Sequence, residues 1–499
     1  MMNIQARRVL PVLAAVVVAA ACDAPTEINT NPNQPTTAPA PYVLTNGQAA
    51  AVGRALGANF HMTLTALWAQ HLAKIQYIDE DRYDLRPATI DAHWTGFYAG
   101  PLSDFAEVMR QGVEQDLPNY TAIGNVMSVW TWQQMTDMWG DIPYSEALKG
   151  SVADGSLVTP TYDSQQAIYT DLLARLATAQ GQLTPGGGDF GSADVIYQGD
   201  QAKWRRFANS LRLRLAMRMV ARNPSAARAA FEAAAALPLI TTNADNADLD
   251  YGVDQADANP IYINQITRDD HAVSRTMVDT LKRLDDPRLR VYANPAPMFA
   301  DEVEDLPAGA PIPFAYYQGM QNGIAGGSDT DFPARSRLGD EFTRADAPAV
   351  LMAASEVYFL LAEAKARGWN VGGAMTAEQL YEHAIELSFE QYGLGADAAA
   401  YIAQPGVDLA AAGTQTEVLR RIALQKWIAL FGNGPEAYAE WRRTGTPGLT
   451  VAPGSVNGNV IPVRVPYASV EQSLNLANYE AAVAANGGDD FNDRVWWDQ

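Results

Sequence analysis

Flat aromatic rings set beside amide, carboxylate and guanidinium groups are what a sugar needs from a protein, because a pyranose has apolar faces edged by hydroxyls. The densest such mixture in this chain contains Trp68, Gln70, Tyr77, Asp79, Arg82, Tyr83, Trp94 and Tyr98. A second, Tyr316-Tyr317-Gln318, lies between Pro313 and Gly319, a setting that predicts exposed rings at Tyr316 and Tyr317. Trp94 and Tyr98 are four residues apart and fit the buried face of a helix equally well. Patterns for catalysis are missing. The five histidines, His61, His71, His93, His271 and His383, show no HExxH spacing, and there is no GxSxG elbow or phosphate-binding loop. Carboxylates are plentiful, but a hydrolytic pair is defined by a separation in space that composition does not supply. The chain is therefore read as a binding protein and not an enzyme. Residues 243–259 carry many side-chain oxygens of the kind Ca²⁺ prefers, without the EF-hand order, so a bound calcium and a solvated loop both remain open.

The 499 residues carry a net charge of −22, which removes nucleic acid from the expected partners. With 48% hydrophobic and 18% charged residues the chain has the composition of a folded globular protein. Its one cysteine, Cys22, excludes a disulfide framework and a cysteine zinc site. Arg7 and Arg8 precede an uncharged run that ends at Ala19-Ala20-Ala21-Cys22. That run is too short to span a bilayer, which takes about 20 residues, but has the layout of a secretory signal. Its end resembles a bacterial lipobox, so residues 1–21 are expected to be removed and Cys22 to become the acylated N-terminus. Residues 22–41, rich in proline, read as a tether, and 42–499 as the folded body.

The elements that must hold these residues are mostly helices. Apolar spacing predicts helices at 122–139, 164–183, 201–221, 225–236, 349–367, 376–392, 417–431 and 435–443. Leu67, His71, Lys74 and Ile75 fall in one amphipathic stretch, and Trp94, Phe97 and Tyr98 share a face. Within 201–221, Trp204, Ala208, Leu211, Leu215 and Met219 mark a packed face, while Arg214, Arg218 and Arg222 form a stripe expected to pair with the chain's own carboxylates. Paired helices of this length suggest stacked hairpins of the tetratricopeptide kind. Long loops are expected at 184–188, 293–313 and 446–466. A helix-poor insertion at about 237–345 is where a recognition surface could be added.

Blocks in order along the chain carry a resemblance. They are Asn29 to Asn33, Asp79-Glu80-Asp81-Arg82-Tyr83, Trp139-Gly140-Asp141-Ile142-Pro143-Tyr144, Lys203 to Leu211, Leu360 to Ala364, Gln425 to Phe431, Glu440 to Gly445, and the closing Asp490-Phe491-Asn492 with Trp496-Trp497. Together they resemble the SusD/RagB family of outer-membrane nutrient-binding lipoproteins, in its SusD-like branch. The resemblance implies a mostly helical fold with tetratricopeptide-like hairpins and a loop-rich insertion, a SusD-like α-α superhelix. It also implies a cell-surface lipoprotein that captures oligosaccharides, or peptides, and passes them to a SusC-type TonB-dependent transporter. A helical glycoside hydrolase and a tetratricopeptide adaptor are the alternative readings.

Overall fold

The computed structural model describes residues 38–150, 155–324 and 332–499. Cys22 and most of the tether lie outside the described residues. The body, Ala40 to Gln499, is a single compact unit. Its principal helices are α1 (Ala40–Leu56), α2 (Pro87–Phe97), α3 (Ser103–Glu114), α4 (Pro118–Trp139), α5 (Gln165–Gln182), α6 (Gln201–Arg218), α7 (Pro224–Ala235), α8 (Arg275–Arg283), α9 (Ala354–Ala366), α10 (Ala377–Glu390), α11 (Gln415–Ala429) and α12 (Gly434–Thr444). Helix α1 begins at Ala40, whose N–H donates to Gln111 Oε1, so the last two residues assigned to the tether are helical.

Local sequence explains where these helices start. Ser164 caps α5, Asp200 caps α6 and Asn223 caps α7, each accepting backbone N–H groups of the first turn. Thr376 and Gln379 form a reciprocal capping box at α10. Consecutive helices then pack in hairpins. Helix α3 lies on α4, α4 on α5, α5 on α6 and α6 on α7, while α9 packs on α10 and α11. This is the stacking expected of tetratricopeptide-like repeats, in which each helix buries its apolar face against its neighbours.

The packed face of α6 is as expected: Trp204, Ala208, Leu211, Leu215 and Met219 are all buried. The arginine stripe beside it tightens the join between the two helical arrays. Arg214 binds Glu356 of α9 at 2.7 Å and Arg218 binds Glu436 of α12 at 2.5 Å. Arg443 of α12 reaches Glu363 of α9 and Glu440, each at 2.6 Å, and Lys426 of α11 reaches Glu440 at 3.1 Å. These groups are almost fully buried, so removing one partner would strand a charge in the core. Arg222, the third of the stripe, is exposed.

Strands are short and paired in twos: β1 (Leu72–Lys74), β2 (Ile142–Pro143), β3 (Tyr162–Asp163), β4 (Ala247–Leu249), β5 (His271–Val273) and β6 (Ala349–Met352). The antiparallel pairs are β1 with β5, β2 with β3, and β4 with β6. Two helical expectations are corrected here. In 349–367 the first four residues form β6, because they pair with β4, and the helix starts only at Ala354, whose N–H donates to Asn246 Oδ1. In the stretch from Leu67 to Ile75 the helix ends at Trp68, and Gln70, at φ 55°, turns the chain into β1.

The helix-poor insertion holds α8 and several shorter helices. Its β5 strand and the loop around Met320 lie against β1, so the insertion meets the Trp68 to Tyr83 segment at one place.

Candidate functional site

Three of the eight non-glycine residues with positive φ in the described chain, Gln70, Tyr77 and Tyr83, fall between β1 and its flanking turns. A left-handed backbone costs an L-residue about 1–2 kcal/mol, and such strain persists only where its surroundings impose it. The imposing contacts are visible. Gln70 is buried, donates to Thr450 O and accepts from Thr276 Oγ1, both at 2.5 Å. Tyr83 is buried and its hydroxyl accepts the Ala452 N–H at 3.2 Å. Between them Tyr77 projects outward, 62% exposed, with the Arg268 guanidinium 5.7 Å from its ring centroid.

Asp81 ties this turn to the insertion. Its carboxylate accepts from Lys74 N and Asn322 Nδ2, both at 2.8 Å, and from Gly323 N at 3.2 Å. Burial pushes this carboxyl up to about 7, against the pull of those donors. The neighbouring Arg82 donates from Nε to Gly323 O at 2.9 Å, which leaves its two terminal nitrogens for a ligand. Glycine is required opposite it at position 454, where φ is +71° and a Cβ would lie 3.0 Å from Arg82 Nε.

Gln70 and Asn322 also line a groove of about 210 Å³, together with Arg275, Thr276, Asp279 and Gln321 among others. Arg275 and Asp279 are exposed on the first two turns of α8. A guanidinium, a carboxylate and side-chain amides therefore line the groove, while the exposed ring of Tyr77 and the Arg268 guanidinium stand beyond the other end of β1. The arrangement supports stacking and hydrogen bonding. Asp79, on the same turn, is exposed and pairs with Arg86 at 3.6 Å.

The remaining expected site residues are elsewhere. Trp68 is fully buried against Tyr83, Tyr438 and Phe491, with its indole N–H donating to Glu80 O. Trp94 is buried and Tyr98 partly so, inside an aromatic cluster with Trp132, Trp139, Tyr162 and Tyr467. The expectation that Tyr317 is exposed is corrected: it is 1% exposed, packed edge-on to Phe314. Tyr316 is partly buried and stacks on Phe299 with ring centroids 5.0 Å apart. As ligand platforms, Trp68, Tyr83, Trp94 and Tyr317 are thereby withdrawn, because their faces are spent on core contacts. Arg268, Arg275, Asp279 and Gln321 were not picked out from the sequence. Isolated polar residues in a helix-poor insertion have no periodicity, and only their place in that insertion pointed to them.

Among the described residues, no group of three or more His, Cys, Asp or Glu side chains could hold a metal ion. In 243–259 several oxygens bind the protein itself: Asp245 pairs with Arg206, Asn246 accepts from Ala354 N, and Asn259 accepts from Ile261 N.

Among the described residues no helix is long and apolar enough to cross a membrane. A SusD-like family model, described as starch-binding and associating with the outer membrane, matches residues 32–468. Solved structures are similar throughout. A chitin-binding SusD homolog from Flavobacterium johnsoniae is 28% identical, with 91% of this chain and 98% of that one aligned at a TM-score of 0.78. A SusD homolog from Bacteroides ovatus is 27% identical over 92% and 99% of the two chains, TM-score 0.79. One from Bacteroides uniformis is 26% identical over 92% and 99%, TM-score 0.77. No curated protein matches the chain.

Proposed function

The chain belongs to the SusD-like family, and on that premise we propose that it is a cell-surface lipoprotein that captures oligosaccharides on the face that carries the exposed Tyr77. It hands them to a SusC-type TonB-dependent transporter in the outer membrane. The observation that carries this reading is the strained turn that holds Tyr77 in solvent with the Arg268 guanidinium over its ring. An exposed ring on a fixed backbone offers stacking area at little entropic cost on binding. The named relative binds chitin and the family description cites starch, so β-linked amino-sugar and α-linked glucose oligomers are the first ligands to test.

The reading is of binding without cleavage. Hydrogen-bonding groups are assembled at the groove of α8, and its one lining carboxylate, Asp279, has no second carboxylate beside it among the lining residues. Acylation of Cys22 would supply the membrane anchor, and calcium is left as an optional ligand of the insertion. Calorimetric titration with chito-oligosaccharides, malto-oligosaccharides and peptides, followed by sizing of the recovered ligand, tests all of this. Binding of an intact oligosaccharide supports the proposal. Preference for peptide, or return of shortened sugar, overturns it. Recovery of a TonB-dependent barrel with the lipoprotein from mild detergent is expected, and repeated isolation of the lipoprotein alone contradicts delivery.

A further inference from the structure

A second cavity, of about 340 Å³, opens beside the β4 and β6 pair and reaches inward to α11, remote from Tyr77. Its walls include Phe342, Tyr392 and Phe431, and its polar groups are unevenly used. His71 donates from Nε2 to the Trp427 carbonyl at 3.0 Å, since a carbonyl can only accept. Burial lowers its pKa to about 3, so the ring is neutral and Nδ1 is a bare acceptor, with no partner in the protein. Asn243 spends its amide N–H on Leu387 O and keeps an unpartnered Oδ1. Asp248 Oδ1 is likewise buried and unpartnered. Three residues of the cavity wall thus carry acceptors that nothing in the chain satisfies, and buried polar groups of that kind are rare.

One donor complements them. His61 accepts the Gly434 N–H at Nδ1, so its Nε2 bears the hydrogen. The charges at the cavity are also uneven. Glu356 is held by Arg214, and Lys426 is held by Glu440, while Asp248 and Glu390 have no ion-pair partner, Lys203, whose charge reaches Asp248, donating instead to Ala244 O. Glu390 lies exposed at the rim.

We infer that this cavity is a second binding site, for a small hydroxylated primary ammonium compound of the amino-sugar class. A primary ammonium brings three N–H donors and no acceptor, which suits the carboxylates that lack a paired cation, and the ligand's hydroxyls would donate to the remaining acceptors. A neighbouring hydroxyl oxygen would accept from His61, and the aromatic wall suits the apolar face of the ring. Its volume of about 340 Å³ suits a ligand of monosaccharide size.

Glucosamine is the probe, titrated calorimetrically into the full chain at pH 7, where its ammonium form predominates. Glucose, which puts a hydroxyl where the ammonium stands, and N-acetylglucosamine, which removes its charge, are the comparisons. Glucosamine is expected to bind one-to-one, with the two neutral sugars weaker by about tenfold or more, the scale of a lost charged hydrogen bond. Asp248→Asn is expected to bring glucosamine to the level of glucose, and Glu390→Gln, on the exposed rim, to weaken it by a smaller factor with folding unaffected. Tyr77→Ala is expected to leave this binding unchanged, which separates the two sites. Equal affinity for glucose, or no glucosamine binding by a chain that melts normally, overturns the inference. If Asp248→Asn does not fold, an unchanged affinity in Glu390→Gln together with equal binding of the three sugars has the same effect.

Discussion

Tyr77 and Tyr317 are both tyrosines in loops, and their burial separates their roles. Replacing Tyr77 by Ala should weaken oligosaccharide binding by about 1–3 kcal/mol and leave the melting temperature nearly unchanged, since an exposed ring contributes little to the fold. Tyr317→Ala should instead destabilise the protein by about 3–4 kcal/mol, because it empties a buried aromatic position. Calorimetry and thermal unfolding of the two variants side by side check both. Asp248 gives a prediction in pH. Burial, and then the neighbouring Asp250, push its carboxyl up to about 7. In the unfolded chain the same group ionises near 4. Across that window the folded state binds more protons, so this group makes the protein less stable as pH rises from about 4 to 7. Asp248→Asn should remove that slope, a difference on the order of 1–2 kcal/mol between pH 5 and pH 7 after allowing for its partial exposure. Urea unfolding at the two pH values measures it, and an unchanged slope contradicts the assignment.

Buried ion pairs govern how the helices are joined. Arg443 of α12 is shared by Glu363 and Glu440 in the core. Arg443→Met should destabilise by about 3–5 kcal/mol, since it takes the shared cation from two buried carboxylates and leaves Glu440 only Lys426 and Glu363 only Arg367. Replacing all three groups by apolar residues of similar size should cost far less, and chemical denaturation distinguishes the two. The helices themselves were legible because the apolar period and the caps agree, as at Thr376 and Asn433. Residues 349–352 were not legible, because Ala-Val-Leu-Met suits a buried helix or a strand, and only β4, a hundred residues earlier in the chain, decides between them. The break at Gln70 was hidden for the same reason: its partners Thr450 and Thr276 are distant in sequence.

On the scale of the whole molecule, the order of short blocks such as Trp139 to Tyr144 and Glu440 to Gly445 was enough to point to the family, since those residues pack the shared core. The candidate site was only half legible. Gln70, Tyr77 and Arg82 came from one aromatic and polar segment, whereas Arg275 and Asp279 reach the groove only when β5 pairs with β1. Membrane attachment is expected to rest on Cys22 alone, so Cys22→Ala should abolish fatty-acid labelling and release the protein from membranes. Persistent attachment of that variant contradicts the anchor. Oligosaccharide binding at Tyr77 is tested most directly by the affinity of the best oligosaccharide for the wild-type chain, Tyr77→Ala, Arg82→Ala and Tyr316→Ala, with melting temperatures recorded beside it. The account predicts that the first two variants lose about tenfold or more in affinity while Tyr316→Ala binds as the wild type does. Undiminished binding by both Tyr77→Ala and Arg82→Ala, in proteins that melt normally, would contradict it.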